Sequence, residues 1–218
     1  IAWRRRLAAS LSAVPQLRIA DIACGTGDVL LSVARARARS LTGAGLQYAA
    51  GVDLAASMMT LARRKFVGTP LCERTVLLCG DAVRLPFRDG AFDAATIAFG
   101  IRNVSSPVAA LGEMRRVVRP GGQVLILEFS LPRNGMVRHL HGVYLRHLLP
   151  MLGGVLTGHY EAYRYLAQSI AAFPHGEAFC AIMRSAGLTG VAAHPLTFGV
   201  ATLYTGQRPG SETGSGQE

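Results

Sequence analysis

The sequence has 218 residues, half of them apolar, which is enough for one domain with a buried core and excludes a disordered chain. Lys and Arg outnumber Asp and Glu by 23 to 13, a net charge of +10 carried almost entirely by arginine, with Lys65 the only lysine, and such a surplus favours anionic surfaces, either nucleic acid or the cytoplasmic face of a membrane. The four cysteines, Cys24, Cys72, Cys79 and Cys180, form neither a CxxC pair nor a metal-ligand spacing and exclude a disulfide scaffold, so a reducing cytosol is the expected compartment.

In chain order, Trp3, Leu7 and Leu11 recur at helical spacing around Arg4-Arg5-Arg6, which predicts an amphipathic leading helix over 3–11 with the arginines on its solvated face, the alternative being a membrane-surface or RNA contact. The chain has no signal peptide and does not begin with methionine, so it reads as a fragment or processed product. An apolar run over 17–23 then enters Cys24-Gly25-Thr26-Gly27-Asp28 and a helical pattern, giving strand, glycine turn and helix. Gly25 and Gly27 let the backbone turn sharply and let a ligand approach the main chain. Leu30 stands where the dinucleotide fingerprint needs a third glycine, and no Gly-Lys-Ser/Thr ending follows, so neither phosphate reader fits. With Asp21 and Asp28 flanking the loop, a diphosphate is repelled and a cationic, zwitterionic ligand such as S-adenosylmethionine is favoured. Val29, Leu30, Val33 and Ala34 are expected to face the sheet, and Arg35, Arg37 and Arg39 to complement the helix C-terminus.

A second strand over 46–53 ends on Asp53, placed to accept both ribose hydroxyls of an adenosyl ligand, the alternative being an acid at the N-terminus of the helix that follows over 56–66. A third strand over 75–79 leads into Gly80-Asp81-Ala82, where Asp81 can accept from an adenine amino group while the Ala82 N–H donates to a ring nitrogen. The fourth strand, 92–98, exits into Phe99-Gly100-Ile101-Arg102-Asn103, followed by a helix over 107–118, an Arg119-Pro120-Gly121-Gly122 stop and a buried strand over 124–129. Strands alternating with helices mean an α/β fold with a parallel sheet and ligands at the carboxyl ends of its strands.

From Pro132 the pattern changes, and residues 136–156 read as an inserted helical lid. Its His139, His141 and His147 lack acidic partners at ligand spacing, so no metal is expected. Tyr160, Tyr163 and Tyr165 precede a helix running to Phe173, a further helix covers 175–186, and 191–206 reads as two strands around Phe198-Gly199 before a Gly/Ser tail from 210. The stretches 147–158 and 185–207 are apolar but broken by Pro and Gly, so neither is read as a membrane span.

Taken together, Asp21-Ile22-Ala23-Cys24-Gly25-Thr26-Gly27-Asp28, Gly80-Asp81-Ala82 with Leu85-Pro86-Phe87, Phe99-Gly100-Ile101-Arg102-Asn103-Val104, Arg116 through Gly122, Leu127-Glu128-Phe129-Ser130 and the Tyr163 to Ile170 segment ahead of Phe173-Pro174 closely resemble the UbiE/MenG family of ubiquinone and menaquinone C-methyltransferases. The resemblance runs from Trp3 to Arg208. It implies a class I S-adenosylmethionine-dependent methyltransferase: a Rossmann-like sheet of seven strands, the last antiparallel, in one domain over 1–208 with a lid over 133–174. The expected cofactor residues are Asp21, Gly25, Thr26, Gly27, Asp53, Leu54, Asp81, Ala82 and Phe99. Two departures stand out: the family's segment ahead of Trp3 is missing, and Gln168 replaces the usual glutamate.

The implied reaction is C-methylation of a prenylated quinol ring, in the menaquinone or the ubiquinone branch. Its polyprenyl substrate and the arginine surplus imply peripheral association with the inner face of the membrane; no nucleic-acid partner is expected and a homodimer is left open. Arg102 is placed to stabilise a developing phenolate, with Asn103 orienting the oxygen and His159, Tyr160 and Tyr163 as candidates for carrying the proton away. The alternative for Arg102 is a loop-holding pair with an acid such as Glu128. The competing functions are an RNA or other small-molecule methyltransferase and a non-catalytic cofactor-binding homologue.

Overall fold

Strands with apolar side chains on both faces must be covered on both sides, and the chain supplies helices for each. The computed structural model describes residues 2–11, 14–39, 45–132, 134–136, 139, 142 and 160–210. The elements are α1 (Ala2–Ala9), β1 (Gln16–Ile22), α2 (Asp28–Ala38), β2 (Gly45–Asp53), α3 (Ala56–Phe66), α4 (Leu71–Arg74), β3 (Thr75–Cys79), β4 (Phe92–Ala98), α5 (Pro107–Val117), β5 (Val118–Phe129), α6 (Tyr160–Ala172), α7 (Glu177–Ser185), β6 (Thr189–Leu196) and β7 (Ala201–Gln207).

The strands form one seven-stranded sheet in the order β3-β2-β1-β4-β5-β7-β6. The first five are parallel, and β7 runs antiparallel to both β5 and β6. The period of two sorts the core. Ile19, Leu125 and Leu127 point to the face covered by Leu7, Leu30, Met59 and Phe66, while Ala20, Ile22, Val124 and Ile126 point to the face covered by Leu111, Met114 and Phe179. The chain leaves β1 to build β2 and β3 on one side, then crosses back to lay β4 on the other. The loops after β1 and β4 therefore diverge, and a crevice opens between them at the carboxyl ends.

Several expectations are corrected. Tyr160, Tyr163 and Tyr165 lie within α6 rather than ahead of it, α7 begins at Glu177 rather than 175, and α4 is a turn of helix that the spacing did not predict. The fifth strand starts at Val118, not 124: Phe92 pairs with Val118 and Ala94 with Gln123, so Arg119 through Gly122 is an excursion inside the strand. Its cause is long-range, since the Gly121 N–H donates to the Arg208 carbonyl at 3.0 Å and the Arg208 N–H to Gly122 at 3.0 Å. Gly122 is required there, because a Cβ would lie 2.6 Å from the Asp93 carbonyl oxygen. Arg37 is not a solvated helix-end cation. It is buried and donates to the carbonyls of Leu11, Val14 and Gly45 at 2.8, 2.8 and 3.0 Å, tying α2 to the segment that precedes β1 and to the start of β2.

Of the expected 133–174 insertion, residues 133, 137–138, 140–141 and 143–159 lie outside the described residues, His141 and His147 among them, as does the tail from 211. Among the described residues no helix is long and apolar enough to cross a membrane, and the apolar 185–207 stretch is the end of α7 with the β6–β7 hairpin. The 147–158 stretch lies outside the described residues.

Candidate active site

At the end of β1 the backbone turns left-handed at Ala23, Gly25 and Gly27, with φ of 49°, 54° and 74°. The Cys24 N–H donates to the Val52 carbonyl at 3.0 Å, which anchors the loop to β2. A Cβ on Gly27 would stand 2.4 Å from the Phe66 ring, so this glycine lets α2 start tight against α3. Asp53, at the end of β2, accepts the Gly25 N–H at 2.8 Å and the Ala55 N–H at 2.9 Å, which locks the glycine turn to the second strand.

Two adjoining cavities open beside the glycine loop. The larger, about 470 Å³, is lined by Asp53, Leu54, Asp81, Ala82, Phe99 and Asn103, among others. The smaller, about 160 Å³, is lined by Arg4, Asp21, Gly25, Thr26, Asp28 and Phe99, among others. They share Ala23, Ala98 and Phe99 in their walls, so one ligand can extend from one into the other. All the expected cofactor residues fall on these two cavities except Gly27, which lies beneath the loop against Phe66.

The charges at the loop are unequal. Asp28 pairs with Lys65 at 2.9 Å and with Arg4 at 3.5 Å; burial works against its ionisation, but these cations more than offset it and hold its carboxyl below the usual range. It is thus not the free anion that the flanking position suggested. Asp21 is 1% exposed. Its Oδ1 accepts the Thr96 hydroxyl at 2.7 Å, and its Oδ2 has no partner among the described residues. Burial pushes this carboxyl up to about 7, against the pull of the Thr96 hydrogen bond and of Arg4. The neighbouring Cys24 thiol is also pushed up by burial, which keeps it neutral.

Of the two expected catalytic residues whose side chains are described, Arg102 and Asn103, Asn103 lines the larger cavity. The Tyr165 hydroxyl lies 3.5 Å from its Oδ1, bringing α6 to the cavity's rim. Arg102 is not a free cation facing the cavity. Its guanidinium donates to Glu128 Oε1 at 2.6 Å and to the Phe99 carbonyl at 2.7 Å, its side chain is 9% exposed, and it stacks over Phe129. The loop-holding pair is therefore the geometry present, and burial raises the Glu128 carboxyl against the opposing pull of Arg102. His159 lies outside the described residues, as do the side chains of Tyr160 and Tyr163.

Sequence reasoning missed Arg4 and Trp3. Trp3 packs on Phe99 and Phe129 with ring centroids 6.0 and 6.1 Å away and donates its Nε1–H to Thr197 at 2.7 Å, which seats α1 across the crevice and carries Arg4 to the smaller cavity. The one available signal was Trp3, a large aromatic at the head of an arginine-rich helix.

A ligand fitting this pair of cavities has a nucleoside at one end and a cationic group for the unpartnered Asp21 oxygen at the other, which matches S-adenosylmethionine. The family model for the ubiE/COQ5 methyltransferases matches residues 1–208. The demethylmenaquinone methyltransferase of Thermus thermophilus is 45% identical over 209 residues, covering 95% of this chain and 90% of that one. The ubiquinone/menaquinone biosynthesis C-methyltransferase UbiE of Geobacter sulfurreducens is 39% identical over 206 residues, covering 94% and 78%. Among solved structures, a SAM-dependent methyltransferase from Thermotoga maritima superposes with a TM-score of 0.63 over 95% of this chain and 88% of that one; at 19% identity this shows the shared fold.

Proposed function

Since the chain belongs to the ubiE/COQ5 methyltransferase family, we infer that it methylates a ring carbon of a prenylated quinol with S-adenosylmethionine as the methyl donor. The observation that carries this reading is the pair of joined cavities at the β1/β4 crevice, with acids at both ends and Asn103 at the rim. S-adenosylmethionine supplies an electrophilic methyl group on a sulfonium.

Asp53, already fixed by two backbone N–H groups, would hold the ribose. Asp81 and Ala82 would take the adenine edge, and Asp21 with the Gly25–Thr26 backbone the amino-acid end. On the acceptor side, a neutral quinol carbon is a poor nucleophile, and ionising the neighbouring hydroxyl moves charge onto it. Asn103 is the polar side chain placed to orient that oxygen. Arg102 acts as a positioning residue: its bonds to Glu128 and the Phe99 carbonyl fix the turn that presents both Phe99 and Asn103. The ring of Phe99, which lines both cavities, offers an apolar surface to a flat ring.

The polyprenyl tail of such an acceptor resides in a bilayer, and a chain of net charge +10 is drawn to an anionic one, so we assign it a peripheral position at the membrane. The test presents demethylmenaquinol in anionic and in neutral vesicles with methyl-labelled cofactor. Label is expected in the quinol, faster from anionic vesicles at low salt, with the difference fading as salt rises. Absence of label in every quinol acceptor would overturn the substrate assignment, and equal rates in both vesicles would overturn the electrostatic docking.

A further inference from the structure

The smaller cavity has two poles. One is the buried Oδ2 of Asp21, without a partner among the described residues. The other is the guanidinium of Arg4 on α1. An amino-acid head group needs both, an acceptor for its ammonium and a donor for its carboxylate. The cavity's remaining polar side chains leave the carboxylate role to Arg4: Lys65, the other cation nearby, already donates to Thr26 Oγ1 at 2.6 Å and to Asp28 Oδ1 at 2.9 Å.

Arg4 is held differently from Lys65. Its Nη1 stands 3.5 Å from Asp28 Oδ2, longer than a charge-assisted hydrogen bond. Its helix, by contrast, is firmly seated, with Leu7 and, just past the helix end, Leu11 buried and Trp3 bonded to Thr197. The backbone beneath Arg4 is thus fixed while its side chain has donors to redirect. Asp28 loses little if Arg4 turns away, because Lys65 remains on its other oxygen.

We propose that Arg4 binds the carboxylate of the cofactor's amino-acid end, exchanging its contact with Asp28 for one with the ligand, so that α1 serves as a clasp that checks for an intact amino acid. This rests on the reading of S-adenosylmethionine as the cofactor. Arg4 then discriminates among adenosyl sulfonium compounds by their carboxylate, a selectivity that Asp53 and Asp81 cannot supply from the far cavity.

The test is calorimetric binding of two probes, S-adenosylmethionine and its decarboxylated analogue, which keeps the sulfonium and the ammonium. The parent chain is expected to favour S-adenosylmethionine by about tenfold or more. Arg4→Gln should erase most of that preference by weakening S-adenosylmethionine while leaving the analogue within about twofold, and Arg4→Lys should retain part of it. Analogue binding by the variant also reports that the fold is intact. If Arg4→Gln weakens both probes equally, or neither, the proposal is overturned and the cofactor reading survives; if the parent binds neither probe, the cofactor reading itself fails and takes the proposal with it.

Discussion

Asp93 and Asp21 are buried aspartates on adjacent strands, 6% and 1% exposed, at opposite ends of the sheet. At the amino end, Asp93 accepts from the Arg18 N–H at 2.8 Å, the Arg18 side chain at 3.1 and 3.2 Å and Arg119 Nε at 2.7 Å, so both its oxygens are engaged. Burial opposes its ionisation, but the arginines prevail and hold its carboxyl below the usual range. At the carboxyl end, Asp21 has Thr96 as its one hydrogen-bond partner among the described residues, and burial prevails. Glu128 Oε2 and Arg102 Nε, also at this end, are buried without partners among the described residues. Asp93 is satisfied by the chain's own side chains, although Arg37 Nε, Thr75 Oγ1 and Gln123 Oε1 towards the same end are buried without partners among the described residues. Asp21 keeps an oxygen in reserve beside the cavity, at a cost in stability that a bound ligand can offset.

Three substitutions would break or sharpen this contrast. The largest effect is expected at Arg102, whose replacement by Met strands Glu128 in the interior and should cost about 3 kcal/mol in urea unfolding. Turnover should fall about a hundredfold with cofactor affinity nearly unchanged. Adding Glu128→Gln removes the stranded acid, so stability should return while turnover stays low, since the bond to the Phe99 carbonyl is still missing. Recovery of both would reduce Arg102 to a purely structural counter-ion.

Next in size is Asp93→Asn. Arg18 and Arg119 are partly exposed and can rehydrate, so the loss should be about 2 kcal/mol rather than that of a sealed ion pair. Because the Asp93 carboxyl is held low, its contribution is present above the ordinary aspartate range and lost as pH falls through the folded value. The variant should therefore show a shallower acid limb in its stability profile, with cofactor binding untouched. A matching fall in cofactor affinity would mean that the two ends are coupled.

The smallest stability effect, and one of opposite sign, belongs to Asp21→Asn. A carboxyl raised to about 7 binds its proton more tightly folded than unfolded, so it costs stability as pH rises from the ordinary aspartate range towards 7. The variant should match the parent near pH 4, exceed it in unfolding midpoint at pH 8, and bind S-adenosylmethionine about tenfold more weakly. A drop in stability at pH 8 would show that the Asp21 charge is satisfied in the folded chain, and the contrast with Asp93 would collapse.

Much of the scaffold was legible because it is encoded locally. The apolar runs over 17–23 and 124–129, the helical spacing of Val29, Leu30 and Val33, and the glycines after the first strand each depend on neighbours a few residues away. Asp53 and Asp81 were legible for a related reason: acids that end parallel strands must arrive at one edge of the sheet, whatever the packing. The bland reading of the arginine triplet holds for Arg5 and Arg6, which are exposed, and fails for Arg4, because only the docking of Trp3 on Phe99 and Phe129 turns Arg4 inward. Arg37 failed likewise, since its carbonyl partners come from chain segments on either side of it.

The sequence by itself therefore determined the order of the main strands and helices, the glycine turn and the end of the sheet at which the candidate site lies, because backbone preference and hydrophobic patterning act over one or two turns. Tertiary structure alone decided which charges are free. Arg102 met Glu128, Asp93 met Arg18 and Asp21 was left with Thr96, through contacts that span 26 to 75 residues of chain. A charge's state depends on the dielectric and the partners around it, and those exist only once distant loops have been brought together.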